Sequence, residues 1–213
     1  MKYKGLLIVI AGPSGAGKGT IYYEVLRRRP DIQKSVSVTT RAPRPGEEDG
    51  VHYHFRSLEE YQDMSAKGSF LETASVYNNY YGTPKAPVFN MLAEGRDVMF
   101  EVDIYGARQI KARYPDCVMI FVMTPDFAVL EQRLRARRTE SEDALSRRIS
   151  SAKNELSQYD IFDYIVFNDE AEASVDTVIG IIDAERSRVR RNEDRIRALL
   201  GKEIKRPSQK NKS

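Results

Sequence analysis

Four apolar runs punctuate the chain without the alternation of a half-exposed strand: Leu6 to Ala11, Asp97 to Val102, Cys117 to Met123 and Tyr164 to Phe167. Runs of that length and composition are expected of strands covered on both faces, as in a parallel sheet. Amphipathic stretches lie between them. Thr20 to Arg29 reads as a helix ended by Pro30, and Gly106 to Arg113, Asp126 to Arg137 and Glu142 to Gln158 read as further helices. Thr83-Pro84 and Thr124-Pro125 have the form of a cap followed by an N1 proline, and Thr139 with Glu142 that of a capping box. This is an α/β pattern. Residues 35 to 82 interrupt it: Ser35 to Thr40, Val51 to Phe55 and Phe70 to Tyr77 are short strand-like pieces around one helix, Leu58 to Ala66, and predict an inserted, mostly β lobe. Ala171 to Leu200 predicts one long charged helix, and Gly201 to Ser213 a polar basic tail without fixed structure.

Composition adds limits. At 213 residues the chain suits one domain with insertions and has material for a real core. Hydrophobic residues make up 41% and charged residues 31%, and no run approaches the roughly eighteen apolar residues of a membrane span. The net charge of +3 calls for no nucleic-acid partner; the tail reads as solvated, with RNA or ribosome contact the weaker alternative. Cys117, the single cysteine, sits in an apolar run and reads as a core residue in a reducing, cytoplasmic setting. His52 and His54 alternate on a strand and read as surface or packing residues.

The chemistry begins directly after the first apolar run. Gly12-Pro13-Ser14-Gly15-Ala16-Gly17-Lys18-Gly19-Thr20 lies between an expected strand and an expected helix, the setting a phosphate loop requires. Glycines let backbone N–H groups close around phosphate oxygens, the helix N-terminus adds its dipole, and Lys18 adds a point charge near the β and γ phosphates. The strict motif places Ser or Thr directly after the lysine. Here Gly19 intervenes, so Thr20 is assigned to phosphate contact and is one candidate contact for Mg²⁺.

A second anion site follows in Ser35-Val-Ser-Val-Thr-Thr-Arg-Ala-Pro-Arg-Pro-Gly-Glu-Glu-Asp-Gly-Val-His-Tyr-His-Phe55. Arg41 and Arg44 offer guanidinium forks for a phosphate, and the prolines lower the entropy lost on ordering the loop. Glu101 and Asp103 stand two apart at the end of an apolar strand, where parallel sheets bind ligands, and are expected on one face. From Ser35 onward, through Phe70-Leu-Glu72, Asn79-Tyr-Tyr-Gly-Thr83, Glu101-Val-Asp103 and the arginine-rich region beyond, the sequence resembles guanylate kinases over residues 5 to 185.

That resemblance implies a P-loop kinase of α/β class: a parallel five-stranded core sheet flanked by helices, an inserted small β-rich GMP-binding lobe and an arginine-rich lid. By position the core is 5–34, 84–125 and 159–200, the lobe 35–83, the lid 126–158 and the tail 201–213. It implies that Arg41, Arg44, Tyr53 and Tyr81 hold the GMP phosphate while Ser37, Glu72, Thr83 and Asp103 read the base. Guanine donates from N1 and N2 where adenine has a bare ring nitrogen, so carboxylate acceptors favour guanine. Glu101 stands where relatives more often have Asp, with a substrate or Mg²⁺ contact as its implied role. Asn168 matches a position near the ATP adenine, and as a sequence feature reads equally as a helix cap.

In the lid, Arg137 and Arg148 are the arginines expected to approach the transferring phosphoryl group; Arg133, Arg135, Arg138 and Arg147 read either so or as a solvated face, and Arg138 replaces the glycine usual after the lid arginine. The implied reaction is in-line transfer from MgATP to GMP, with dGMP a further acceptor, Lys18 and the lid arginines neutralising charge, and Mg²⁺ held mainly by ATP phosphates and water. The enzyme is expected to act as a monomer or homodimer on small-molecule substrates, with no membrane or nucleic acid required. Two alternatives stand beside it: a guanylate-kinase-like scaffold domain that binds phosphorylated peptides, and a kinase of another small phosphorylated acceptor.

Overall fold

The computed structural model describes residues 4–76, 78–136 and 142–200. Along the chain run β1 (Leu7–Ala11), α1 (Lys18–Arg28), β2 (Ile32–Lys34), β3 (Val38–Thr39), β4 (His54–Phe55), α2 (Leu58–Ala66), β5 (Phe70–Val76) and β6 (Asn79–Pro84). Then follow α3 (Lys85–Ala93), β7 (Asp97–Glu101), α4 (Ile104–Arg113), β8 (Val118–Met123), α5 (Phe127–Arg135), α6 (Glu142–Leu156), β9 (Tyr164–Phe167), α7 (Ala171–Ser187) and α8 (Val189–Leu200).

Five strands form a parallel sheet in the order β2-β7-β1-β8-β9. The central strand β1 is buried throughout, and its alternation serves two cores. Ile8 and Ile10 pack with Ile21 and Val25 of α1 and Val175 and Val178 of α7. Leu7 and Val9 pack on the other face with Val88 and Leu92 of α3 and Ala107 and Ile110 of α4. Cys117 lies in that second core, where burial pushes its thiol up to about 11. No helix of the described residues is long and apolar enough to cross a membrane.

The inserted lobe is a separate mixed sheet, β4-β3-β6-β5, backed by α2 through Val38, Tyr61 and Phe70. It is stapled to the core by α4: Gln109 donates to the Thr73 carbonyl (2.9 Å) and accepts from the Thr73 amide (3.1 Å), and Arg113 donates to the Leu71 carbonyl (2.9 Å). Chain order reverses about β1, which leads outward to β2 on one side while β8 lies on the other. The crevice at the carboxyl ends of β1, β7 and β8 is therefore the place for a ligand.

Three local expectations are corrected. Pro84 closes β6 and is the N-cap of α3, not its first residue, because the Thr83 hydroxyl is drawn to Glu72 instead of the helix. Asp126 caps α5, its side chain accepting from the Val129 amide at 2.8 Å, while the Thr124 hydroxyl donates to the Asp126 carbonyl at 2.7 Å. The single C-terminal helix is two helices broken at Arg188, whose ψ of 134° leaves the helical region. Buried Glu185 gathers Arg188 and Arg191, and the Asn192 amide donates to the carbonyls of Arg186 and Arg188 across the break. The Thr139 capping box, Tyr77, Arg137, Arg138 and the tail lie outside the described residues.

Candidate active site

The glycine loop turns from β1 into α1 as the motif requires. Gly12 has φ 151°, and a Cβ there would stand 2.0 Å from the Val122 carbonyl oxygen of β8. Gly17, the N-cap of α1, has φ 90°, and a Cβ there would stand 2.2 Å from Asn168 Nδ2. Only glycine tolerates that backbone at such close approach. No side chain caps α1 and no acid occupies its first turn, so its leading N–H groups are offered to a ligand instead of a cap. Lys18 Nζ donates to the carbonyls of Gly12 (2.7 Å) and Pro13 (3.0 Å), which holds the ammonium over the loop.

Asn168 has a role that the sequence did not disclose. It is buried, its Nδ2 donates to the Ala16 carbonyl at 2.7 Å, and its Oδ1 lies 3.2 Å from the Ser174 hydroxyl. The cap of α7 is Glu170, so the helix-cap reading of Asn168 is wrong; it braces the phosphate loop from the end of β9. Thr20 is exposed on the first turn of α1.

Across the crevice, the ends of β3, β6 and β7 enclose a cavity of about 340 Å³. Ser37, Tyr53, Thr83 and Glu101 line it, as expected; Lys34 and Glu47 line it too and were not anticipated. Behind Thr83 lies Glu72, 6% exposed. Thr83 donates its hydroxyl proton to Glu72 Oε1 at 2.6 Å, so at the 3.3 Å contact between Ser37 and Thr83 the serine is the donor. Burial raises the Glu72 pKa and the nearby Asp103 charge adds to the rise, while the Thr83 hydrogen bond opposes it.

Glu101 and Asp103 do not share a face, because β7 ends at Glu101. The Glu101 carboxylate lies against the phosphate loop, 3.4 Å from where a Gly19 Cβ would be. Burial pushes its pKa up and Lys18 pulls it back. Asp103 turns the other way and caps α4, Oδ1 accepting from the Gly106 amide at 2.7 Å beside Glu72.

The arginine loop makes an aromatic-walled clamp. The Arg41 guanidinium lies 5.5 Å over the Tyr53 ring, and Tyr53 meets Tyr81 edge-on at 5.9 Å. Arg41 Nη2 bonds both oxygens of Glu47, at 2.9 and 3.0 Å. Arg44 is exposed, but its backbone amide donates to Glu47 at 2.7 Å.

A known family matches this arrangement. The sequence family described as guanylate kinase covers residues 4–185. The guanylate kinase of Carboxydothermus hydrogenoformans is 46% identical over 194 residues, 91% of this chain and 95% of that one. That of Desulfitobacterium hafniense is 49% identical over 88% of this chain and 94% of its own. The chain belongs to the guanylate kinase family. The crystal structure of guanylate kinase from Anaplasma phagocytophilum superposes with a TM-score of 0.73 at 28% identity, covering 95% of this chain and 99% of that one.

Against the guanylate kinase pattern, the lid region is the remaining piece. Helices α5 and α6 pack through Leu130, Leu134 and Ala152, and Leu130 and Leu134 also cover Gly15 of the phosphate loop. From α6, Arg148 Nη2 donates to Ser14 Oγ at 2.9 Å, which brings one expected lid arginine onto the loop. Arg133 donates to the Asn168 carbonyl at 3.2 Å and Arg135 pairs with Glu131, so these two serve the local framework.

Proposed function

We propose that this chain transfers the γ-phosphoryl group of ATP to GMP, and to dGMP as a second acceptor, in one in-line step without a covalent intermediate. The observation that carries the reading is the Ser37–Thr83–Glu72 relay, half-buried at Ser37 and buried at Thr83 and Glu72, opening on a cavity that faces an uncapped, glycine-wrapped helix N-terminus. Two anion pockets across one crevice suit a donor and an acceptor phosphate, and positioning with charge compensation is most of what phosphoryl transfer needs. Backbone N–H groups from Ser14 to Thr20 and the Lys18 ammonium bind the donor phosphates. Arg41, Arg44, Tyr53 and Tyr81 hold the acceptor phosphate, whose oxygen is anionic at neutral pH and needs no strong base.

Guanine presents N–H donors to Glu72 and Asp103, and Thr83 and Ser37 complete the polar wall. A base without those donors leaves a buried carboxylate unmatched, which rejects it by a factor on the order of 10⁴. Magnesium fits this donor set: Glu101 beside Lys18 and Gly19 supplies one carboxylate near the phosphate loop, and a hard cation that keeps its waters and the ATP phosphates needs little more. When bound it neutralises phosphate charge.

Coupled ADP-release assays with GMP, dGMP, IMP, AMP and UMP test the reading. GMP is expected to be the best acceptor, dGMP to follow, AMP and UMP to be near background, and Lys18→Ala to abolish turnover. No GMP turnover above that variant would favour the peptide-binding scaffold, and a different preferred acceptor would favour another small-molecule kinase.

A further inference from the structure

Glu47 lies in a Glu-Glu-Asp run that reads as solvated loop charge, yet its side chain is only 18% exposed. Its carboxylate accepts three hydrogen bonds: two from Arg41 Nη2 and one from the Arg44 amide, all between 2.7 and 3.0 Å. The turn that allows this passes through Gly46 at φ 85°, and the Glu47 amide closes it on the Arg44 carbonyl at 3.0 Å. At the guanidinium's other terminal nitrogen, Nη1 donates to the Ala42 carbonyl at 2.7 Å. Both terminal nitrogens are thus tied to the loop, with the guanidinium carbon 5.5 Å over the Tyr53 ring. None of these bonds uses Nε.

We propose that Glu47 is the positioning residue of the acceptor-phosphate clamp: it holds the Arg41 guanidinium by its far end and fixes the Arg44 backbone. A long arginine left to itself samples many rotamers, and each one lost on binding weakens affinity. A carboxylate that fixes it beforehand improves the capture of a phosphate even while lowering the local positive charge. The opposite role, a carboxylate that competes with the phosphate for Arg41, has the same contacts and the opposite sign, so measurement separates them. This inference rests on the acceptor reading proposed above.

The test uses the full-length protein and calorimetric binding of GMP, guanosine and ATP, with steady-state kinetics alongside. Glu47→Ala is expected to weaken GMP binding and raise its KM roughly ten- to a hundredfold, the range for losing hydrogen bonds to a charged group. Guanosine, which lacks the phosphate, and ATP should bind within about twofold of wild type. Glu47→Gln keeps an acceptor oxygen for the Arg44 amide and should fall between. Unchanged or tighter GMP binding in Glu47→Ala would overturn the proposal, the tighter case making Glu47 a competitor. Equal loss for GMP, guanosine and ATP with a lowered Tm in both variants would overturn it in favour of a structural role. Failure of the wild type itself to bind GMP would instead remove the acceptor reading on which it stands.

Discussion

Glu72 is the residue at which function and stability pull apart. It is almost fully covered, its carboxylate accepts from the Thr83 hydroxyl, and burial has raised its pKa. A carboxyl whose folded pKa lies above its unfolded value supports the fold fully below the ordinary carboxylate range. That support is lost as pH climbs through the raised value. Glu72→Gln keeps an oxygen for Thr83 and removes the penalty, so without substrate its Tm is expected to match or exceed wild type at pH 8 but not at pH 4. Its kcat/KM for GMP should fall on the order of 10²- to 10³-fold, because the amide presents a donor to guanine's donors. Calorimetric scans at the two pH values and the coupled assay check both halves; a variant that loses stability at pH 8 would mean the carboxylate is a fold element.

Much of this site was legible residue by residue: Ser37, Thr83 and Glu72 do converge, and Lys18 sits over its loop. Glu47 was not legible, because its partnership depends on a positive-φ turn that folds six residues back on Arg41, and nothing in the spacing of like charges signals it.

At the scale of elements, the pattern of apolar positions succeeded where burial decides structure and failed where polar contacts do. The four runs are four of the five core strands. The fifth, β2, is a three-residue edge strand with only Ile32 fully buried, too short to stand out from loop. The split between α7 and α8 has no glycine or proline to announce it. It comes from Glu185, 2% exposed, which faces the Tyr164 hydroxyl, Arg188 and Arg191 together. Burial alone would push the Glu185 pKa up; the Tyr164 and Arg191 hydrogen bonds overcome it and hold it below the ordinary value. Its contribution is therefore present at neutral pH and lost as acid titrates it through that lowered value. Glu185→Ala leaves Arg191, itself 9% exposed, with Asp116 as its remaining acid partner and takes the acceptor from the Tyr164 hydroxyl, and should cost roughly 1–3 kcal/mol. Urea denaturation at pH 7 reads this directly. An effect within about 0.5 kcal/mol would assign the helix break to the backbone alone, since that is the range of an inconsequential surface change.

On the scale of the whole molecule, the two sides of the crevice are fastened differently. The acceptor lobe is pinned to α4 by Gln109 and Arg113 through main-chain hydrogen bonds, whereas the α5–α6 unit rests on the phosphate loop through two leucines and the Arg148 contact to Ser14. Arg133 adds a hydrogen bond to the Asn168 carbonyl at the end of β9. Under the kinase reading proposed above, the α5–α6 side is the one expected to close, bringing positive charge to the transferring group while excluding water. On that reading Arg148 is expected to act in the transition state more than in either ground-state complex. Interactions made only there lower kcat without raising KM when they are removed. Arg148→Ala is accordingly expected to lower kcat by roughly 10²- to 10³-fold, with both KM values within about threefold of wild type. Arg148→Lys, which keeps the charge but not the planar fork, should recover part of it. Single-turnover measurements with saturating ATP and GMP isolate that step from product release. A rise in the KM for ATP that accounts for the whole loss in kcat/KM would instead make Arg148 a ground-state ligand, reaching the bound triphosphate from where it already touches Ser14.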